Sequence, residues 1–382
     1  MTSLIDFIKE RFTKTRPLPA GTHAFQSPPE GPAYRLHLRL APDGSGILVV
    51  NAATILHLNP SAAEFAYHIV KGTDPQEVGR LVASRYNIKR SVAEQHFNEF
   101  SDRIQTLIYT PDLDPVSYLD FDRVDPHSQT LSAPVRLDCA LTYRLPAGSE
   151  GSASPVKRVD RELTTEEWNS ILDKAWQAGI PHITLTGGEP TLRDDLPEII
   201  AHAEKNGQVC GLLSDGLKLG DKEYLQTLLQ TGLDHLMFIL QPKNEASWKA
   251  LIAILPEDLF TTVHFTVTPD LAGEAEQILT NLRGLGVDNI SLSISDPSLK
   301  DALVTLRTKA GSLSLNLRWD LPVPYSAENP VAHETSLDNL PSGAGKSWLY
   351  VEPDGDVLPT QGLADQVLGN FLRDPFEAIY QP

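Results

Sequence analysis

The feature that most constrains the fold of this chain is a regular alternation of strand-like and helix-like segments between residues 135 and 294. Six apolar runs predict strands, and the segments between them repeat apolar residues at helical spacing. β/α units in series predict a parallel sheet that curls into part of a barrel. We therefore predict an α/β fold, an incomplete (β/α)6 TIM-like barrel with its functional face at the C-terminal strand ends. The predicted strands are 135–143, 182–186, 208–213, 235–240, 262–268 and 289–294.

The helix after the first predicted strand has clear local signals. Thr164 and Glu167 have the spacing of a capping box, and Gly179 is placed to end the helix. Between them lies one apolar stripe, formed by Trp168, Ile171, Leu172 and Ala175.

The net charge of −18 disfavours nonspecific binding to nucleic acid or to an anionic membrane, since both depend on a basic patch. The sequence has no apolar run long enough to span a bilayer, and its N-terminus lacks the uninterrupted apolar core of a signal peptide. We therefore expect a cytoplasmic protein with a peptide or small-molecule partner.

Changes of pattern along the chain divide it into five regions. Strand-like runs followed by three helical segments predict a small winged-helix α+β domain before the barrel. Two strand-like runs around Asp354 and Gly355 predict a β-hairpin after it. The regions are an N-terminal arm (1–33), the winged-helix domain (34–108), a linker (109–134), the barrel (135–320) and a C-terminal extension (321–382).

A glycine loop follows the strand 182–186, where a β/α barrel places ligand contacts. Gly187 and Gly188 would let the backbone approach a ligand closely, Glu189 offers a carboxylate to an ammonium group, and Pro190 fixes the exit of the loop. A plain strand-to-helix turn also uses glycine, but the position in the β/α series favours a ligand loop.

Residues 135–317 resemble the core of the radical S-adenosylmethionine (SAM) enzymes. The similar segments are LTYR (141–144), LTTEEW (163–168), GGEP (187–190) and LLSDG (212–216), with Asp215 where that family usually has Asn. The resemblance implies a SAM site formed by Gly187, Gly188, Glu189, Pro190, Ser214 and Asp215.

The cysteines that hold the iron–sulfur cluster of that family, in a CxxxCxxC spacing, are absent. Their positions fall on Leu145, Ser149 and Ser152, and the chain has two cysteines, Cys139 and Cys210, both in apolar segments. Reductive cleavage of SAM needs an electron from the cluster. We therefore expect no iron–sulfur cluster, no other metal site and no radical catalysis, while SAM remains a candidate ligand.

The C-terminal extension carries the same replacement. Residues 342–362 resemble the SPASM extension of radical SAM enzymes that modify peptides, in which cysteines bind auxiliary clusters. Ser342 and Thr360 occupy cysteine positions of that pattern.

Other candidate metal ligands have plainer interpretations. His182, His235 and His264 lie toward the starts or middles of strands, whereas ligands gather at strand ends, so we interpret all three as structural. Asp120, Asp122 and Asp125 are expected to form a solvated acidic loop rather than a cation site.

Residues 34–108 resemble the PqqD-like fold, the recognition element that binds the leader of a ribosomally made precursor peptide. The similar segments are ILVVN (47–51), TILHLN (54–59), SAAEFA (61–66) and KGTDPQEV (71–78). The resemblance implies that a leader peptide adds as a strand to the small sheet. We assign this contact to Val49, Val50 and Asn51. A DNA-binding winged helix is disfavoured because the helix 91–107 carries Glu94, Glu99 and Asp102 against Arg103.

Three functional hypotheses follow. The first is a non-catalytic pseudoenzyme, with no catalytic residues, that recognises a precursor peptide and presents it to an active radical SAM maturase. The second is a SAM-binding enzyme that uses the GGEP pocket for polar, non-radical transfer chemistry. The third is a barrel that binds no ligand and serves as a protein-interaction surface.

Overall fold

The structure is a computed structural model. It describes residues 17–28, 34–51, 54–110, 131–147, 153–318, 321–335 and 340–381, and the isolated positions 113, 115, 119 and 337. The chain forms two compact units, 1–132 with 177–181 and 133–176 with 182–382. Of the sequence-based assignments, Ser149, Ser152, Asp120, Asp122 and Asp125 lie outside the described residues, as does most of the linker 109–134.

Within its described residues, the first unit packs three helices on a four-stranded antiparallel sheet with strand order β1-β2-β3-β4. Alternating side chains such as Leu36, Leu38 and Leu48 are buried, and the ring of Phe65 lies 5.9 Å from that of Phe97 between the helices. The elements are β1 (Gly21–Gln26), β2 (Arg35–Leu40), β3 (Gly46–Val50), β4 (Thr54–Leu58), α1 (Pro60–Val70), α2 (Pro75–Tyr86) and α3 (Arg90–Tyr109).

The N-terminal arm predicted for residues 1–33 contains an ordered strand. Gly21–Gln26 pairs antiparallel with β2, from Gly21 opposite Leu40 to Gln26 opposite Arg35. The many Pro and Gly residues around this segment suggested an arm, but the segment HAFQ (23–26) alternates in exposure as an edge strand does.

The second unit is built on a ten-stranded sheet with the order β11-β10-β9-β8-β7-β6-β5-β12-β13-β14. The strands from β5 to β11 are parallel and follow chain order, which confirms the predicted α/β architecture. The strands are β5 (Arg136–Thr142), β6 (His182–Gly187), β7 (Val209–Ser214), β8 (His235–Ile239), β9 (Phe260–Val267), β10 (Asn289–Ile294), β11 (Asn316–Leu317), β12 (Trp348–Val351), β13 (Asp356–Leu358) and β14 (Gly369–Asn370).

Helices follow the parallel strands and bury one apolar stripe each. In the first of them Trp168, Ile171 and Leu172 are fully buried, and Thr164 and Glu167 form the reciprocal hydrogen bonds of a capping box. The helices are α4 (Thr165–Ala178), α5 (Leu196–Asn206), α6 (Lys222–Gln230), α7 (Glu245–Ile254), α8 (Ala275–Gly284), α9 (Lys300–Ser312) and α10 (Phe376–Ile379).

The C-terminal strands extend the main sheet. β12 and β13 pair across the turn that contains Gly355, where φ is +90° and glycine is favoured. β12 also lies parallel to β5, with Trp348 opposite Arg136 and Val351 opposite Cys139. The sequence predicted a hairpin appendage, but a pairing with a strand so distant in the sequence has no local signal.

None of the helices in the described ranges is both long enough and apolar enough to cross a lipid bilayer.

Candidate functional site

The glycine loop at the end of β6 packs against the backbone that continues β5. Gly188 N donates to the Thr142 carbonyl at 2.8 Å, and Glu189 N donates to the Arg144 carbonyl at 2.9 Å. A Cβ at Gly188 would lie 2.2 Å from the Arg144 carbonyl oxygen, and one at Gly187, where φ is +122°, would lie 2.2 Å from that of Thr142. Close backbone packing therefore requires both glycines, whether or not a ligand binds.

The carboxylate of Glu189 is buried and fully hydrogen-bonded within the protein. It accepts from Thr191 N at 3.0 Å, the Thr191 hydroxyl at 2.6 Å, the Ser214 hydroxyl at 2.8 Å and Asp215 N at 2.8 Å. Burial, together with the negative charge of Asp215, raises the pKa of Glu189. Glu189 therefore joins the C-terminal ends of β6 and β7.

The structure thus brings the predicted SAM-binding residues together, but their polar groups form hydrogen bonds within the protein. Pro190 starts a single 3-10 turn directly after Glu189, whose side chain caps that turn. The Gly187 carbonyl also accepts a hydrogen bond, from Tyr325 N at 2.8 Å. The residues that meet at this edge of the sheet are Gly187, Gly188, Glu189, Pro190, Ser214 and Asp215.

The segment after β11 fills the space beside the glycine loop. Tyr325 is buried in an aromatic cluster, its ring 5.5 Å from that of Tyr143 and in T-shaped geometry. Nearby, Leu321 packs on a cluster of strand residues, which consists of Leu213, Met237 and Ile239.

A buried polar network centred on Arg158 closes the same region. The Arg158 guanidinium forms an ion pair with Glu334 and donates to Glu352 at 3.2 Å and to the Tyr325 hydroxyl at 3.3 Å. The Tyr143 hydroxyl donates to Glu352 at 2.7 Å. Burial raises the pKa of Glu352 despite these partners. Sequence reasoning missed this network because its members are up to 209 residues apart and belong to no motif.

The described side chains at positions where the resemblance places cluster cysteines do not suit an iron–sulfur cluster. Leu145 is a buried apolar side chain, 6% exposed, and offers no electrons to a metal. The Thr360 hydroxyl accepts from Trp348 Nε1 at 3.4 Å, and Ser342 is exposed. Since cluster iron is held by thiolates, the side chains present do not fit the group.

The cysteines and histidines elsewhere are buried in the sheet. Cys139 and Cys210 are fully buried, and burial raises the pKa of the Cys139 thiol. The Nε2 atoms of His182 and His235 lie 2.7 Å apart, and His264 contacts two serine hydroxyls. Burial lowers the pKa of His235 and of His264 to about 4. Across the described part of the chain, no group of three or more His, Cys, Asp or Glu could hold a metal ion.

The structure corrects the residues assigned to peptide binding. Val49 and Val50 are buried in β3, which lies between β2 and β4, so both of its backbone edges are already paired. Asn51 adopts φ of 52° and its side chain accepts from Arg35 N at 2.9 Å. A peptide cannot add as a strand at β3; among the described strands the sheet ends at β1 and β4.

Comparison with known proteins identifies the second unit. The sequence model of the Radical SAM superfamily matches residues 139–242. A PqqA peptide cyclase of Streptomyces rochei is 33% identical over 278 residues, which cover 65% of this chain and 76% of the relative. A PqqA peptide cyclase of Xanthomonas campestris pv. campestris is 28% identical over 263 residues, covering 60% and 68%.

Solved structures share the fold. Streptococcus suis SuiB superposes with a TM-score of 0.57 at 15% identity, over 91% of this chain and 87% of SuiB. SuiB bound to the precursor peptide SuiA gives 0.56 at 14% identity, over 88% and 85%. The sequence and structural relationships agree: this chain belongs to the radical SAM superfamily and is homologous to the PqqA peptide cyclases.

Proposed function

We propose that this protein is a non-catalytic member of its superfamily that recognises a ribosomally made precursor peptide and presents it to an active maturase. The observation that carries the proposal is Leu145, a buried leucine at the first cluster position. Without a cluster, SAM receives no electron and no 5′-deoxyadenosyl radical forms.

The state of the glycine loop supports a scaffold rather than a working SAM pocket. Glu189 already has four hydrogen-bond donors, and Tyr325 N occupies the carbonyl of Gly187. A ligand that bound to Glu189 or to the Gly187 carbonyl would have to break these hydrogen bonds and form equivalent ones itself. The residues of the GGEP segment therefore have a structural role that accounts for them without SAM.

The first unit is the proposed peptide-binding module. The resemblance to the PqqD-like fold covers β4 but not β1, and β4 is an edge strand on which Ile55 is 41% exposed. A leader segment would add to the open edge of β4 through backbone hydrogen bonds, while Ile55 contacts its side chains. The PqqA peptide cyclases are named for a peptide and SuiB has been solved with a precursor peptide, which supports the substrate class.

Anaerobic reconstitution with iron and sulfide, followed by visible absorbance and iron analysis, tests the loss of the cluster. The wild-type chain should acquire no stoichiometric 4Fe–4S spectrum. The matched comparison is a variant with Leu145→Cys, Ser149→Cys and Ser152→Cys, which restores the thiols of the family spacing. A stoichiometric cluster in the wild type would refute the proposal.

Affinity capture from the native host, read by mass spectrometry of small peptides, tests the recognition step. The wild type should retain a precursor peptide, and Ile55→Lys should lose it because a solvated charge replaces the apolar contact. Ile252→Lys is the matched control, at an isoleucine that is 51% exposed on α7. Equal capture by the Ile55 variant would count against β4 as the docking edge.

A second candidate is a SAM-binding enzyme with polar transfer chemistry, favoured by the convergence of Glu189, Ser214 and Asp215 at one edge of the sheet. Calorimetric titration with SAM separates it from the first. Measurable binding that Ser214→Ala weakens would favour this candidate, whereas absence of binding favours the scaffold.

A further inference from the structure

A pocket of about 200 Å³ lies in the second unit between β5, β12 and the segment after β11. Its β5 contributions, Arg136 and Asp138, lie at the start of the strand, whereas Tyr325 lies between the pocket and the glycine loop, since its backbone N–H donates to the Gly187 carbonyl. We call it the Trp348 pocket, lined by Arg136, Asp138, Tyr325, Trp348 and Gln361 together with several prolines.

The walls of the Trp348 pocket are part polar and part apolar, and the apolar part is held in place. The Arg136 guanidinium stacks 4.9 Å from the centre of the Trp348 ring, and Thr360 bonds the indole nitrogen. Pro322, Pro330 and Tyr325 belong to the same apolar part of the lining. Rigid aromatic and proline surfaces favour a flat or branched apolar group, because little side-chain freedom is lost on binding.

The charges of the Trp348 pocket are balanced before any ligand enters. Arg136 forms a bidentate pair with Asp138, with N···O distances of 2.8 and 3.0 Å, and Glu334 is paired with Arg158. Asp138 is 2% exposed, so this pair is a fixed feature of the floor. A charged ligand would lose its hydration and, among the Arg, Asp and Glu side chains that line the described part of the pocket, would find none without a partner of opposite charge.

Polar atoms remain that could fix the orientation of a ligand. Arg136 uses Nε and Nη2 for Asp138, and Nη1 donates to no described residue. The side-chain NH2 groups of Gln361 and Asn329 both donate to the carbonyl of Val323. Their side-chain oxygens accept no hydrogen bond from the described residues. One donor and two acceptors beside the apolar part of the pocket match the backbone amide of a peptide.

We propose that the Trp348 pocket binds one uncharged apolar side chain, aromatic or branched aliphatic, of a peptide. The amide next to that side chain bonds to Arg136 Nη1 and to the Gln361 side-chain oxygen. This inference rests on the proposed function, a protein that binds peptides, and supplies a contact that is separate from the β4 edge.

The probes are N-acetyl amides of tryptophan, leucine, lysine and glutamate, titrated into the full chain and followed by ligand-observed NMR. The tryptophan and leucine amides should bind, and the lysine and glutamate amides should bind about tenfold more weakly, since they cannot recover their hydration. Equal binding of all four, or binding of none, would overturn the proposal.

Substitution of a lining residue locates the binding. Thr335→Phe places a ring in the Trp348 pocket and should abolish binding of the tryptophan amide, and Val323→Phe should do the same if the first variant fails to fold. Thr308→Phe, at an exposed position of α9, is the matched control. Unchanged binding in a folded, filled variant refutes the site. The peptide capture with the Ile55→Lys variant tests the first unit and does not depend on the Trp348 pocket. A negative result in the capture experiment can therefore be told apart from a negative result in the amide titration.

Discussion

The Ser214 hydroxyl donates to the Glu189 carboxylate at 2.8 Å, which links two strand ends that are 25 residues apart in sequence. Together with the donors from Thr191 and Asp215, this contact makes Glu189 a structural tie between β6 and β7. A motif that in related enzymes is associated with a cofactor therefore has here a role in holding the sheet edge together.

We expect Glu189→Gln to lower the free energy of unfolding by about 2–4 kcal/mol, because the amide NH2 would face donors that the carboxylate now accepts from. Urea unfolding followed by circular dichroism measures this change. Glu166→Gln, at an exposed position in the first turn of α4, should change stability by less than about 0.5 kcal/mol. Equal stability of wild type and the Glu189 variant would mean that the tie contributes little.

Gly188→Ala should destabilise the protein by about 1–3 kcal/mol or more, because the new methyl group would lie 2.2 Å from the Arg144 carbonyl oxygen. The matched variant is Gly311→Ala in α9, where a Cβ meets nothing within 4 Å. That change should be neutral or stabilising by up to about 1 kcal/mol, from helix propensity. Thermal unfolding of both variants checks the contrast, and a neutral Gly188→Ala would contradict the close packing.

Arg158→Met should lower the free energy of unfolding by about 2–4 kcal/mol, since it leaves Glu352 buried without its cation. This loss is smaller than is usual on breaking a fully buried ion pair, because the Arg158 side chain is 23% exposed and water screens its charge. A double-mutant cycle with Glu352→Gln isolates the interaction, and we expect a coupling of about 1–2 kcal/mol. Additive single effects would show that the two residues do not stabilise each other.

Stability should fall as the pH drops from about 6.5 toward 4, in part through His264. Burial lowers the folded-state pKa of His264 to about 4 from its ordinary 6.5, so over this interval the unfolded chain takes up a proton that the folded chain does not. The contribution of neutral His264 to the free energy of unfolding is complete above pH 6.5 and is lost as the pH falls toward 4. Between pH 8 and pH 5 this loss is on the order of 2 kcal/mol.

The His264→Gln variant should lose less stability than wild type over that interval, as measured by urea unfolding at pH 8 and pH 5. His333→Gln, at an exposed position, controls for removal of an imidazole and should keep the wild-type slope. Parallel pH profiles for wild type and the His264 variant would show that His264 does not titrate as expected.

Local sequence signals predicted the elements of the second unit well, because strand and helix periodicity and caps act over a few residues. The capping box at Thr164 and the buried stripe that includes Trp168 are examples. The convergence of Glu189 and Ser214 also followed from the rule that parallel strands end at one edge.

Long-range contacts could not be predicted in this way. Arg158 belongs to no sequence motif, yet it pairs with Glu334 and Glu352. Val50 was assigned to peptide contact through the PqqD-like resemblance, but its apolar side chain is buried in a central strand. Which strand forms the edge depends on pairing, and a single strand's composition does not determine it.

The position of β12 has a consequence for how the chain acquires its structure. Because β12 pairs with β5 about 210 positions earlier, one side of β5 keeps unpaired amide and carbonyl groups throughout most of synthesis. Such an edge recruits other strands, and non-local parallel pairing forms slowly. A nascent chain that stalls before Trp348 would therefore be a template for aggregation, and translation through residues 348–351 removes the hazard.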